Sequence, residues 1–72
     1  MTTPLQLGRY QHYKGPFYQV EGVAIHSETE EEMVIYRPLY GEGRTWVRPL
    51  SMFLETVEVD GKQQSRFTYI AD

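Results

Sequence analysis

From Gly8 onward, short runs rich in Tyr, Val, Ile and Phe alternate with Gly, Pro and charge clusters about every ten residues. That is the strand-and-turn rhythm of an all-β domain. No window sustains apolar residues at i, i+3, i+4 and i+7 between caps, so no long helix is expected. The first strand is predicted from Gly8 to Tyr13, turned by Lys14-Gly15-Pro16. The second runs from Phe17 to about His26, where regular alternation would put Tyr18, Val20, Gly22, Ala24 and His26 on one face. Gly22 in mid-strand predicts a bulge or bend. After the turn Ser27-Glu28-Thr29-Glu30-Glu31, a third strand is expected over about Glu32 to Tyr40 and a fourth over about Arg44 to Arg48, joined through Gly41-Glu42-Gly43. Leu50 to Leu54 reads as one short turn, of the 3₁₀ kind, that plugs an end of the domain. A fifth strand over Glu55 to Val59 leads into Asp60-Gly61, a strong hairpin-turn signal. Residues 62–67 are expected to pair only weakly.

The predicted fold is therefore all-β: a small five-stranded SH3-like barrel with one short 3₁₀ turn before the last strand. Residues 1–7 read as a flexible lead-in, 8–67 as the single domain and 68–72 as a fraying tail.

Register narrows the Gly41 hairpin. A three-residue loop at 41–43 would set Pro38 opposite Trp46 and Tyr36 opposite Arg48, and a five-residue loop would set Tyr40 opposite Trp46. Either odd length groups Tyr36, Tyr40, Trp46 and Arg48 on one face and Ile35, Leu39 and Val47 on the other. A four-residue loop would oppose Arg37 to Arg48, two like charges face to face. An odd-length loop is expected.

With 72 residues there is room for one domain and one thin core. Aromatic residues make up 14% of the chain, six of them Tyr. Large rings supply burial that so short a chain otherwise lacks. There is no Cys, which excludes disulfides and thiolate metal sites and suits a reducing compartment. Met1 to Leu7 carries no basic region and no long apolar run, so neither a signal peptide nor a membrane span is expected, and the cytoplasm is the expected location. The net charge of −3 weighs against indiscriminate binding to nucleic acid or anionic lipid.

Three groups of residues could carry chemistry. Tyr36, Tyr40, Trp46 and Arg48, with Arg44 nearby, place aromatic planes beside guanidinium groups. Such a surface stacks on peptides, bases or other flat ligands, although the same rings could simply form the core. His12, His26 and Glu28 could support acid–base chemistry or hold a metal, yet no metal-ligand spacing is present and a turn-bound His explains the pair equally well. Glu28, Glu30, Glu31 and Glu32 read as a solvated turn. There is no Gly-rich phosphate loop and no nucleophile elbow. An enzyme, a metal site and a cofactor are accordingly not expected.

Gly8-Arg9-Tyr10-Gln11-His12-Tyr13-Lys14-Gly15, then Tyr18 with Val20, His26-Ser27-Glu28-Thr29, Val34, Tyr36-Arg37, Trp46-Val47-Arg48-Pro49-Leu50 and Met52-Phe53 together resemble a small bacterial family catalogued as domain of unknown function 1653. The likeness runs from Gly8 to Val59. It implies a stand-alone β-domain similar to SH3-like barrels with no assigned activity, and it supplies no catalytic residue. The leading expectation is a non-enzymatic module that binds a protein, peptide or small molecule through the aromatic and Arg surface. A barrel binding single-stranded RNA or DNA through Arg37, Arg44 and Arg48 comes second, disfavoured by the net charge. A small enzyme or metal protein centred on His12 and His26 comes third. The chain is expected as a monomer or as a homodimer paired through an edge strand.

Overall fold

The computed structural model describes residues 5–71. The sequence Gly8–His12 forms β1, Phe17–Ile25 β2, Glu32–Pro38 β3 and Trp46–Pro49 β4. Leu50–Phe53 forms the helical turn α1, followed by β5 (Thr56–Val59), β6 (Lys62–Ser65) and β7 (Phe67–Ala71). Five strands build one antiparallel sheet in the order β4-β3-β2-β1-β7, and β5 and β6 form a separate hairpin. The all-β expectation holds, with seven strands among the described residues in place of five. The sheet is not a closed barrel: β4 and β7 are its two edges, and no ladder joins them among the described residues.

One face of the sheet, here the front, carries the core. Tyr10 and Tyr18 lie opposite each other on β1 and β2, and Val20 lies opposite Tyr36 on β2 and β3. These side chains, Val34, Phe67, and Leu50 and Phe53 of α1 form the buried cluster. Leu50 and Phe53 sit one turn apart, so both point down from α1 onto the sheet. Phe53 stacks flat on Phe67 with ring centroids 4.2 Å apart and meets Tyr10 and Tyr36 edge-on. The turn is α-helical and not 3₁₀, because Leu54 N–H reaches the Leu50 carbonyl at 3.0 Å. It precedes three strands, so it is not the last step before the end of the fold.

The expected bulge at Gly22 is present and has a larger consequence than a bend. Val20 lies opposite Tyr36 but Gly22 lies opposite Ile35, so two positions that alternation would put on one face fall on opposite faces. Val23, opposite the fully buried Val34, returns to the front, and Ala24 and His26 are exposed. The one-face grouping of Tyr18, Val20, Gly22, Ala24 and His26 therefore ends at the bulge.

Both ends of the domain are better anchored than the sequence suggested. Leu5 packs against the core, and the Gln6 carbonyl accepts a 2.6 Å hydrogen bond from the nearly buried Tyr10 hydroxyl. Residues 68–71 are not a fraying tail but continue β7, paired with β1 through Tyr10↔Tyr69 and His12↔Phe67. β1 would otherwise be an unpaired edge, and the alternation of Phe67 and Tyr69 matches its front-facing side chains. Residues 1–4 of the expected lead-in and Asp72 of the expected tail lie outside the described residues.

The Asp60-Gly61 turn forms as predicted, with φ of +53° and +79°. Two successive positive φ values match the right-handed twist of β5 and β6, and only the second falls on a glycine. No helix among the described residues is long and apolar enough to cross a membrane.

Candidate functional site

The β3–β4 register places Tyr36 opposite Trp46, Ile35 opposite Val47 and Val34 opposite Arg48. Its parity is that of an odd loop, and Arg37 does not face Arg48. The pairing is nevertheless shifted from both expected loops, because the ladder begins only at Trp46 and leaves a wide connection after Pro38. Gly41 and Gly43 in that connection adopt φ of +61° and +66°, which lets the chain make the long turn. The shared face survives: Tyr36, Trp46 and Arg48 are all on the front, and Tyr40 folds back to meet Tyr18 with their hydroxyl oxygens 2.8 Å apart.

The four residues of the first group divide by burial. Tyr36 is 3% exposed and belongs to the core. Trp46 is 43% exposed and rests edge-on against the Tyr36 ring, with 6.0 Å between centroids. Tyr40 is 49% exposed and meets the Tyr18 ring edge-on at 5.7 Å. Between Tyr40 and Trp46, over Pro38, Gly43 and Arg44, lies an open hollow of about 220 Å³. Arg48 is half-buried; its Nε donates to the Tyr36 hydroxyl at 3.1 Å, and its guanidinium lies 5.7 Å from the centre of the Phe67 ring.

His12 of the second group joins this face. Its ring meets Phe67 edge-on at 5.0 Å and lies 6.2 Å from the Tyr18 ring. Nδ1 accepts the Lys14 backbone N–H at 3.2 Å, so the neutral ring carries its proton on Nε2. Burial, and then the positive charges of Arg66, Lys14 and Arg48, push the imidazole below its usual 6.5. Burial, the Tyr40 hydrogen bond and the neighbouring phenols of Tyr40 and Tyr36 push the Tyr18 hydroxyl up to about 12, against a smaller opposing pull from Arg48. Burial is the first cause of both shifts, and the positive charge of Arg48 lowers both groups.

His26 and Glu28 are elsewhere. The turn after β2 folds so that His26 Nδ1 accepts the backbone N–H groups of Glu28 and Thr29 at 3.0 and 3.3 Å. The imidazole binds Glu28 through its backbone, not its carboxylate. All nine residues of β2 stand between this turn and His12, roughly 30 Å along the strand. The two imidazoles do not converge, and among the described residues no three His, Asp or Glu side chains form a cluster that could hold a metal ion.

Of the three arginines of the nucleic-acid reading, Arg48 lies on this face and Arg44 edges its hollow. Arg37 pairs with Gln19 on the back of the sheet, and its side chain bonds Glu21 at 3.0 Å. Arg44 bonds Glu42 at 2.9 Å on the exposed loop. Four contributors were missed by sequence reasoning: Lys14, Tyr18, Arg66 and Phe67. Tyr18 had a signal, since it alternates with Val20 and precedes the bulge. Arg66 and Phe67 fell in a stretch read as weakly paired. Arg66 N–H bonds the Glu55 carbonyl, and Tyr13 N–H bonds the Arg66 carbonyl, so one residue ties the β5–β6 hairpin to β1 beside His12.

Fold and site together define a small all-β domain whose open five-stranded sheet leaves Tyr40 and Trp46 of its aromatic face partly exposed. Residues 8–69 match the model of a family described as "Protein of unknown function (DUF1653)", and the chain belongs to that family. It is also similar to the crystal structure of a DUF1653 protein from Bordetella bronchiseptica, at 37% identity and a TM-score of 0.84 over 92% of this chain and 87% of that one. No curated protein matches it.

Proposed function

We propose that this DUF1653 protein is a non-enzymatic binding module of the cytoplasm, an open relative of the SH3-like barrels that takes a flat group of a peptide, protein or small molecule on its front rim. Tyr40 and Trp46 form the contact walls, with Arg48 and His12 beside them. The observation that carries this reading is Trp46. The one tryptophan of a 72-residue chain sits 43% exposed beside a hollow while Tyr36 beneath it fills the core. A small domain has few large rings to spare, and an amphipathic ring held half out of water by a buried partner is the usual anchor of a binding surface.

The test is a fragment and peptide screen on uniformly ¹⁵N-labelled protein, with Trp46→Ala and Tyr40→Ala as variants. Binding that perturbs amides between Tyr40 and Arg48 and disappears in folded Trp46→Ala supports the module. A well-folded wild-type protein that binds no member of the screen at this face refutes it.

A further inference from the structure

We infer that the ligand of this face is anionic: Arg48, His12, Arg66 and Lys14 form a receptor for a carboxylate or phosphate group carried on a planar ring. The assignment rests on the binding role proposed above and narrows its ligand.

Arg48 provides the first observation. Arg37, Arg44 and Arg66 each have a carboxylate partner, at 3.0, 2.9 and 3.2 Å. Arg48 has none among the described residues, although it is half-buried and the chain carries a net charge of −3. Its Nε is committed to the Tyr36 hydroxyl, and its two terminal nitrogens have no partner among the described residues. A half-buried guanidinium without a counter-charge is costly to maintain, and its planar fork suits two oxygens of one acid group.

The surroundings provide the second. Phe67 lies between Arg48, whose guanidinium is 5.7 Å from its ring centre, and His12, which meets its edge at 5.0 Å. Because Nδ1 of His12 is engaged by Lys14 N–H, Nε2 is its donor in the neutral state. Lys14 lies 5.8 Å from the Tyr13 ring and makes no ion pair among the described residues. Arg66 shares its charge with Glu55, but its Nε is buried without a partner. Arg48 and His12 thus flank Phe67, and Lys14 and Arg66 lie close enough to act on His12, with Glu55 the acid bound to Arg66. An anion would supply the missing charge, and a ring attached to it would extend towards Trp46 and Tyr40.

The experiment titrates the full chain with phenyl phosphate, benzoate, inorganic phosphate and phenol, followed by ¹⁵N chemical shifts. Phenyl phosphate, benzoate or both are expected to shift His12, Arg48 and Phe67, and the stronger of the two tells a phosphate from a carboxylate ligand. Inorganic phosphate is expected at the same residues but more weakly, because it lacks the ring. Arg48→Gln is expected to weaken aryl-anion binding by about tenfold or more. Arg48→Lys is expected to recover part of the loss, and Arg37→Gln, on the back of the sheet, to change nothing. Should Arg48→Gln fail to fold, His12→Gln and Lys14→Gln provide the same comparison from outside the core. Phenol binding as tightly as phenyl phosphate at Tyr40 and Trp46 would overturn the anion assignment and leave the binding role standing. No shift at this face with any of the four probes would overturn the anion assignment, and the fragment screen then decides the binding role by itself.

Discussion

Replacing Trp46 and Phe53 separately with Ala distinguishes a ring that faces a ligand from a ring that holds the fold. Phe53 is 1% exposed, stacked on Phe67 and edge-on to Tyr10 and Tyr36. Its truncation removes a fully enclosed side chain and leaves a void, a change worth about 3–5 kcal/mol. A domain this small holds a net stability near the lower end of the ~5–15 kcal/mol range, so Phe53→Ala should be largely or wholly unfolded. Trp46 keeps 43% of its surface in water and meets only Tyr36 and Tyr18 among the rings. The hidden part beyond an Ala side chain is roughly 100 Å², which at about 25 cal/mol/Å² gives an upper figure near 2.5 kcal/mol. A value of about 2 kcal/mol is expected, because an edge strand closes over the gap more readily than a core does. Guanidinium unfolding followed by far-ultraviolet circular dichroism measures both, since the only tryptophan is absent from one variant. If Trp46→Ala loses as much as Phe53→Ala, Trp46 is a structural brace and the ligand-facing role falls.

Tyr40→Phe removes the hydrogen bond and the neighbouring phenol that help raise the Tyr18 hydroxyl to about 12. The Tyr18 titration, read by ultraviolet difference absorbance or ¹³C-tyrosine resonances, should move down towards 10; an unchanged titration would mean that Tyr40 plays no part and burial with Tyr36 sets it. Tyr18 favours its protonated form in the fold, so its contribution is complete below pH 10 and is lost as pH rises through about 12. His12 acts at the other end of the scale. Its folded pKa lies below 6.5, so the unfolded chain takes up the proton first as pH falls, and stability should drop below that value. His12→Gln should flatten that part of the unfolding-midpoint profile, and an equal slope in both proteins would show that neither burial nor the neighbouring cations depress His12. Gly22→Ala should change stability by no more than about 0.5 kcal/mol, because a Cβ at Gly22 meets nothing within 4 Å. Gly61→Val, with a β-branched side chain at φ +79°, should destabilise by about 1 kcal/mol or more in the same assay.

Local pattern was sufficient where neighbouring strands are consecutive in the chain. The alternation through β1, β2, β3 and β4, the Gly22 irregularity and the Asp60-Gly61 turn could all be read from a few residues each. What escaped were pairings between distant segments and strands without an apolar face. β7 pairs with β1 across most of the chain, and nothing in residues 67–71 announces that partner. β6, Lys62-Gln63-Gln64-Ser65, is wholly exposed and polar. It is a strand because the turn before it returns the chain along β5, and no hydrophobic periodicity marks it. The helical character of Leu50–Phe53 hangs on one hydrogen bond to Leu50, a difference that composition does not encode.

The candidate site was legible in the same uneven way. Parity alone grouped Tyr36, Trp46 and Arg48, because an odd loop fixes which side chains share a face whatever its length. Parity could not say that Tyr36 would be core and Trp46 exposed, since that depends on where α1 ends its cover of the sheet. Net charge was the poorest guide. The chain is acidic, but acids and bases are sorted by strand face: Glu21 neutralises Arg37 on the back, Glu42 takes Arg44 on the loop, and Glu28, Glu30 and Glu31 sit at the exposed turn beyond β2, while Glu32 is half-buried at the start of β3 and not in the turn. The front end thereby keeps Lys14 and Arg48 beside His12, and the nearby carboxylate, Glu55, is already engaged by Arg66. An acidic protein presents a cationic, ring-lined surface because its strand register, not its composition, decides which charges meet.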